Sequence, residues 1–178
     1  MLLVDSLYIN NSGGFRLLDY LVRTLMRQNI PFLLLADERC RGRLDYCHEV
    51  QYMESSMRNR KSFYSEHGGD FSVVFCFANI PAPIRLKVPV YTYFHNINLL
   101  TLKEARSYKE LLVMWLKRQV FRMFKKNTNY WIVQTTNTAH ELKCHLHEID
   151  NRIKILPFYE ITDQLRNIND VEHGQIYV

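Results

Sequence analysis

The sequence predicts an α/β fold in which a doubly wound, mainly parallel sheet carries helices on both faces. Strand-like and helix-like segments alternate along the 178 residues, with short linkers between them. The strand-like segments, such as 71–77 and 88–94, are almost continuously apolar, which is typical of strands covered on both faces. Polar residues follow directly after four of these strand-like segments, as expected where strands end at one edge of a sheet.

The beginning of the chain predicts a strand, a loop, a helix and a second strand. Residues 2–9 are mostly apolar, and the polar loop 10–14 ends in two glycines. Apolar residues then recur with helical spacing over 17–28, and 31–36 is apolar again. Such a loop lies at the amino end of the helix, where glycines let a ligand approach the backbone N–H groups. A tight turn is the alternative reason for the glycine pair.

The rest of the chain supplies further strands and helices in alternation. In order, we predict a charged irregular stretch (37–44), a short strand (49–52), a helix (55–67) stopped by Gly68-Gly69, strands (71–77 and 88–94), a connector (98–103), a helix (104–126), a strand (130–134), a helix (138–147) and a strand (152–156). Residues 1–162 are therefore expected to form one domain. We expect 163–178 to be a linker and the start of a second domain, with a frayed tail as the alternative.

Composition excludes several classes of protein. The apolar content of 47% and the aromatic content of 13% exclude a disordered chain, and the net charge of +5 is mild. The four cysteines are irregularly spaced, which favours a reducing compartment over a disulfide framework. We expect no signal peptide before the first strand, and no apolar run reaches the ~18 residues of a membrane span. We expect a cytoplasmic protein, with peripheral attachment to a membrane left open.

The polar strand endings define a candidate site. They lie at 10–14, 79–83, 95–96 and 134–135, and in parallel sheets ligands bind outside the carboxyl ends of the strands. His95 is the titratable side chain in this group with a pKa near neutrality. The alternative interpretation of His95 is a hydrogen-bonded structural histidine.

Four segments together carry a resemblance to a known family. They are the first strand with Gly13-Gly14 and its helix, the strand ending in Tyr93-Phe94-His95-Asn96, the segment 131–135 with the following helix, and the segment 153–158. This set resembles the Rossmann-like N-terminal domain of retaining GT-B glycosyltransferases, a family with many bacterial polysaccharide and lipopolysaccharide enzymes. The chain departs from the family in having Asn29-Ile30 where Gly-His is frequent.

The resemblance implies an enzyme that moves a sugar from a nucleotide-sugar to a glycan or lipid-linked acceptor. The domain at 1–162 would bind the acceptor, and a C-terminal domain beginning near Gln175 would bind most of the donor. Residues 1–178 alone are therefore expected to be inactive. His95 is implied as the catalytic residue, and the implied substrate-binding residues are Ser12, Gly13, Gly14, Asn96, Gln134 and Thr135. The nucleotide-sugar is then a substrate, no cofactor is expected, and the chain contains no Asp-x-Asp metal motif.

The helix at 104–126 has a basic second half. Five Lys or Arg and no acid lie within 114–126. Leu112, Leu116, Val120 and Met123 are the predicted core face. The remaining aromatic and basic side chains suit an anionic membrane surface, and they are Trp115, Lys117, Arg118, Phe121, Arg122 and Lys125. A solvated helix whose aromatics pack under a neighbour is the alternative, and without a recognised module we expect no nucleic-acid partner.

Two further possibilities complete the sequence-based picture. His140, Cys144, His145 and His147 are close in sequence, but a complete metal site would need a ligand from another element, and we expect no metal. A stand-alone α/β module that binds a partner or small ligand without catalysis is the alternative to the enzyme. The length of the native open reading frame after Val178 would discriminate the two.

Overall fold

A computed structural model describes residues 1–10, 12–97, 107–146 and 150–156. Its centre is one sheet of seven strands in the order β3-β2-β1-β4-β5-β6-β7, and every neighbouring pair is parallel. The strands are β1 (Leu2–Ser6), β2 (Phe32–Asp37), β3 (Val50–Met53), β4 (Val73–Cys76), β5 (Val90–Phe94), β6 (Tyr130–Val133) and β7 (Ile153–Ile155). The predicted fold class is confirmed, and each predicted strand is present. β2 and β3 lie one residue further along the chain than predicted, and the other five strands are shorter than predicted.

Four helices connect these strands within the described ranges. They are α1 (Ser12–Arg27), α2 (Met57–His67), α3 (Tyr108–Phe124) and α4 (Thr136–Leu146). Ser56 and Ser107 cap α2 and α3, because their side chains accept from the backbone N–H groups of Asn59 and Glu110. The predicted linker and second-domain start at 163–178, the connector at 98–103 and His147 lie outside the described residues.

The helices cover the two faces of the sheet separately. α1 packs on the face that carries Val4 and Tyr93, whereas α2 packs on the face that carries Leu3 and Val74. Phe121 of α3 joins the second face together with α4 and the inner residues of β6. Side chains alternate along each strand, so neighbouring residues enter opposite cores. The arrangement is the doubly wound one.

The strand order creates a crevice at the carboxyl edge of the sheet. From β1 the chain proceeds outward through β2 to β3, then returns to place β4 on the other side of β1. The connection after β1 therefore leads toward β2 on one side, and the connection after β4 leads toward β5 on the other, which leaves a gap between the two connections. Ligands of doubly wound folds bind at such a switch point.

Candidate functional site

The predicted site residues lie at the same edge of the sheet, although they belong to different elements. Gly13 and Gly14 lie in the first turn of α1, the helix that follows β1, whereas His95 and Asn96 follow β5, and Gln134 and Thr135 follow β6. Because all of these strands are parallel, their carboxyl ends meet at one edge. Ser12 is the first residue of α1, and its side chain lies outside the described part of the structure.

The glycine pair belongs to the first turn of α1, where the sequence predicted a loop. Gly42 is the one described glycine with a positive φ, so neither Gly13 nor Gly14 needs a left-handed backbone. A Cβ at Gly13 would meet no described atom within 4 Å, whereas one at Gly14 would lie 3.2 Å from the side chain of Ile9. A tight turn therefore does not explain Gly13, whose backbone borders open space at a helix amino end.

Arg43 supports this amino end and was missed by the sequence analysis. Its Nη1 donates to the carbonyl oxygen of Asn10 over 2.6 Å. Its guanidinium carbon lies 3.5 Å from the centre of the Phe15 ring in the first turn of α1. An exposed cation thus lies beside the positive end of the helix dipole, which favours an anionic ligand. In the sequence, Arg43 is only one basic residue within the charged irregular stretch 37–44, so nothing there indicated this role.

Asn79 organises the ends of β4 and β5, and the sequence analysis did not name it as a site residue. Its backbone has a φ of 64°, a left-handed conformation that Asn tolerates better than most residues. Its buried Oδ1 accepts from the backbone N–H groups of His95 over 2.8 Å and Asn96 over 3.0 Å. The side-chain amide therefore holds the start of the loop that carries His95.

The same amide determines the tautomer of His95. With Oδ1 occupied by backbone donors, Nδ2 of Asn79 faces Nε2 of His95 at 3.4 Å. An amide nitrogen can only donate, so Nε2 accepts and the ring proton is assigned to Nδ1. Nδ1 is buried and has no hydrogen-bond partner among the described residues. His95 therefore carries an Nδ1–H donor that no described residue uses.

Burial also sets the charge of His95. The ring is partly buried against Tyr93, with a centroid distance of 5.3 Å. This desolvation lowers the pKa of His95 below its usual 6.5, because a buried imidazolium loses its hydration. His95 is thus a neutral imidazole at pH 7. A neutral imidazole that donates from Nδ1 suits the stabilisation of a developing negative charge.

The residues after β6 divide into two roles. Burial raises the pKa of the Tyr93 phenol, and the nearby side chain of Gln134 opposes this rise. Thr135 caps α4, since its Oγ1 accepts from the backbone N–H of Thr138 over 3.2 Å. Gln134 therefore connects the end of β6 to the residue under His95. The hydroxyl of Thr135 already has a structural partner, and its predicted substrate contact stays a prediction.

A buried ionic network connects α2 to the two strands that border the crevice. Arg60 of α2 donates from Nε to Oδ2 of Asp5 over 2.7 Å, and both side chains are 1% exposed. Tyr64 donates its hydroxyl to the same carboxylate oxygen over 2.7 Å. Nη1 and Nη2 of Arg60 donate to the carbonyls of Pro81 and Ile80, in the connection after β4. One guanidinium thus joins α2, β1 and the loop that follows Asn79.

The buried network also contains a thiol. The Sγ of Cys76 lies 3.6 Å from Nη2 of Arg60 and 3.5 Å from the hydroxyl of Tyr64. Burial raises the pKa of the Cys76 thiol to about 12. The thiol is therefore protonated at neutral pH and acts as a packed polar group, since the reactive form of cysteine is the thiolate.

The metal-capable side chains of α4 do not converge. Sγ of Cys144 lies 3.7 Å from Nε2 of His140, and Nε2 of His145 lies 3.1 Å from Glu141. Within the described ranges, no group of three or more metal-capable side chains comes together. Cys40, Cys47, Cys76 and Cys144 are all free thiols.

The core face predicted for α3 is wrong. Leu112, Leu116 and Met123 are exposed by 58%, 50% and 64%, whereas Phe121 is exposed by 1%. Phe121 packs against Phe94 and Trp131 with centroid distances of 5.2 Å each, so it cannot serve as the predicted membrane contact. Phe121 therefore anchors α3 to the sheet, whereas Leu112, Leu116 and Met123 point outward.

Other predicted contacts on α3 differ in their exposure. Trp115 is 48% exposed and Arg122 is exposed, and their membrane contact stays a prediction. Lys125 and Arg118 are half-buried, and Nη2 of Arg118 lies 3.5 Å from Nδ1 of His145. The side chain of Lys117 lies outside the described part of the structure. In the part of the chain that the structure describes, no helix is long and apolar enough to cross a bilayer.

Comparisons with known proteins place no family on this chain. No protein-family model matches it, and no curated protein matches its sequence.

Proposed function

We propose that this chain is the acceptor-side domain of a GT-B-type glycosyltransferase that moves a sugar from a nucleotide-sugar to a glycan or lipid-linked acceptor. The observation that carries the proposal is the pairing of two features at one sheet edge. The amino end of α1 is open at Gly13 and flanked by Arg43, and His95 is held by Asn79 with a buried Nδ1. The first feature suits a phosphate group and the second suits a polar group of a sugar.

The proposed reaction forms no covalent bond to this domain, which binds and orients the reacting groups. The bond between the anomeric carbon and the diphosphate breaks and the nucleoside diphosphate leaves with the electron pair, while the oxygen of an acceptor hydroxyl bonds the same carbon and its proton passes to the departing diphosphate. Backbone N–H groups at Gly13 and Gly14 would stabilise negative charge on the diphosphate or the acceptor. Nδ1–H of His95 would donate to the sugar or leaving group as charge develops. The donor pocket is completed by a second domain.

We predict that residues 1–178 alone turn over no nucleotide-sugar. The physical reason is that one wall of the cleft cannot hold the donor and acceptor in reacting geometry. The measurement is release of nucleoside diphosphate by the fragment, with the full native reading frame as the matched control. Robust transfer by the fragment, or a native stop codon directly after Val178, would contradict the proposal. The stop codon would favour the stand-alone binding module.

We also propose that α3 brings the enzyme to its acceptor at the inner face of a membrane. Leu112, Trp115, Leu116 and Met123 form an exposed apolar stripe on this helix. Lys109 and Arg122 are exposed on the same helix. Apolar side chains flanked by cations suit an anionic bilayer surface, where each cation contributes about 1 kcal/mol.

We predict that the protein co-sediments with anionic vesicles at low salt and less with neutral ones. The variant Lys109→Glu/Arg122→Glu should lose the salt-sensitive part of binding, which weakens as the Debye length falls from ~10 Å at 0.1 M to ~3 Å at 1 M. Leu112→Ser/Leu116→Ser should lose the salt-resistant part. Arg58→Glu/Lys61→Glu on α2 makes the same charge change at exposed positions and should bind like the wild type. Absence of wild-type sedimentation at low salt would refute the membrane role.

A further inference from the structure

A basic recess lies at the amino-terminal edge of β5, β6 and β7, opposite the edge that carries His95. Its volume is about 860 Å³, and its lining includes Arg85, Lys126, Arg152 and Lys154. A single phosphate needs far less space, whereas binding sites for drug-sized ligands span roughly 300–1,000 Å³. The recess is therefore large enough for a ligand with several groups.

The parallel register of the sheet brings these side chains together. Tyr91 of β5 pairs with Tyr130 of β6, and their rings stack with centroids 5.2 Å apart and planes 20° apart. Lys154 of β7 pairs with Ile132, which shares the sheet face of Tyr130 because it lies two residues further along β6. An aromatic floor therefore adjoins a cation on one face of the sheet. The aromatic surface suits a ring or carbon skeleton that carries the anionic groups.

Three cations of the recess have no acidic partner among the described residues. Arg85, Lys126 and Lys154 are exposed, and none forms an ion pair with any described residue. Among the described residues that line the recess, none is acidic. Like charges in one concave surface repel each other and concentrate a positive potential there. A bound polyanion would offset this repulsion.

The rim of the recess is held rigidly by hydrogen bonds. Arg152 donates from Nε to the carbonyl of Asn129 over 3.1 Å and from Nη2 to the carbonyl of Thr128. Oδ1 of Asn129 accepts from the backbone N–H of Val90 over 2.8 Å. Thr128 donates its hydroxyl to the carbonyl of Val90 over 3.1 Å. The segment between α3 and β6 is thereby bonded to β5 and to the start of β7 before any ligand arrives, which lowers the ordering cost of binding.

We propose that this recess binds a ligand that carries two or more phosphate groups. Guanidinium and ammonium groups recognise phosphate through charge-assisted hydrogen bonds, and three exposed cations match more than one phosphate. The same chemistry is offered by a free polyphosphate and by a phosphorylated lipid headgroup. The recess lies at the sheet edge away from Gly13 and His95, so its ligand and the proposed glycosyl transfer are tested independently.

The first experiment is calorimetric titration of the protein with sodium tripolyphosphate, with sodium sulfate at equal ionic strength as the reference. The variant Arg85→Glu/Lys154→Glu should weaken tripolyphosphate binding by about tenfold or more, which equals ~1.4 kcal/mol. The matched variant Arg58→Glu/Lys61→Glu changes the net charge equally on α2 and should bind within about twofold of the wild type. Circular dichroism of both variants verifies that they fold.

The second experiment distinguishes the two sources of phosphate. Vesicles containing phosphatidylinositol 4,5-bisphosphate are compared with phosphatidylserine vesicles of equal total charge, for the wild type and the same two variants. Binding of tripolyphosphate in solution supports a free polyphosphate ligand, and preference for the bisphosphate vesicles that is lost in Arg85→Glu/Lys154→Glu supports a lipid headgroup. The proposal is overturned if the wild type binds neither probe, or if both variants weaken binding equally.

Discussion

Asp5→Ala should lower the free energy of unfolding by about 3–5 kcal/mol, the range for breaking a buried ion pair from one side. The substitution leaves the guanidinium of Arg60 buried without its counter-charge, since both side chains are 1% exposed. It also removes the acceptor of the Tyr64 hydroxyl. Urea unfolding followed by circular dichroism measures the change.

Two companion variants separate this effect from a general loss of packing. Glu38→Ala removes a carboxylate from the exposed pair with Arg41 and should change stability far less. Asp5→Leu/Arg60→Met removes both charges together and should recover most of the loss, because no charge is then left unpaired. If Asp5→Ala unfolds like the wild type, the buried network contributes nothing to the stability of the crevice.

In the full-length enzyme that we propose, His95→Ala should lower kcat by about 10²-fold or more, the range for removing one donor to a transition state. The fold should survive, because His95 follows the end of β5 and is only partly buried. The measurement is steady-state kinetics with saturating nucleotide-sugar. His48→Ala, at an exposed position before β3, is the matched control and should retain wild-type kcat.

The dependence of kcat on pH provides a second test, because it would not change in His95→Ala if His95 were purely structural. The proposed mechanism uses the neutral imidazole, and burial, which lowers the pKa of His95, lets this form persist at pH values below 6.5. Wild-type kcat should therefore fall on the acid side, as His95 gains a proton below its usual pKa of 6.5, and this limb should disappear in His95→Ala. Wild-type kinetics in His95→Ala would return His95 to a structural role.

Only part of the candidate site could be predicted from the sequence. The positions of His95, Asn96 and Gln134 follow from strand endings, because parallel strands end at one edge. The roles of Asn79 and Arg43 do not follow, since each depends on contacts across the fold to His95 or to the first turn of α1. The glycine pair was placed correctly after β1, but its helical backbone and the open space at Gly13 are visible only in the structure.

The sequence by itself determined the alternation of strands and helices and the parallel sheet, because the apolar period is a local property of the chain. Only the tertiary structure decided which apolar side chains are buried. On α3, Phe121 enters the core and Leu112 stays outside, since the available space lies between Phe94 and Trp131. The pairing of Asp5 with Arg60 likewise joins residues 55 positions apart, and only the packing of α2 on β1 brings them together.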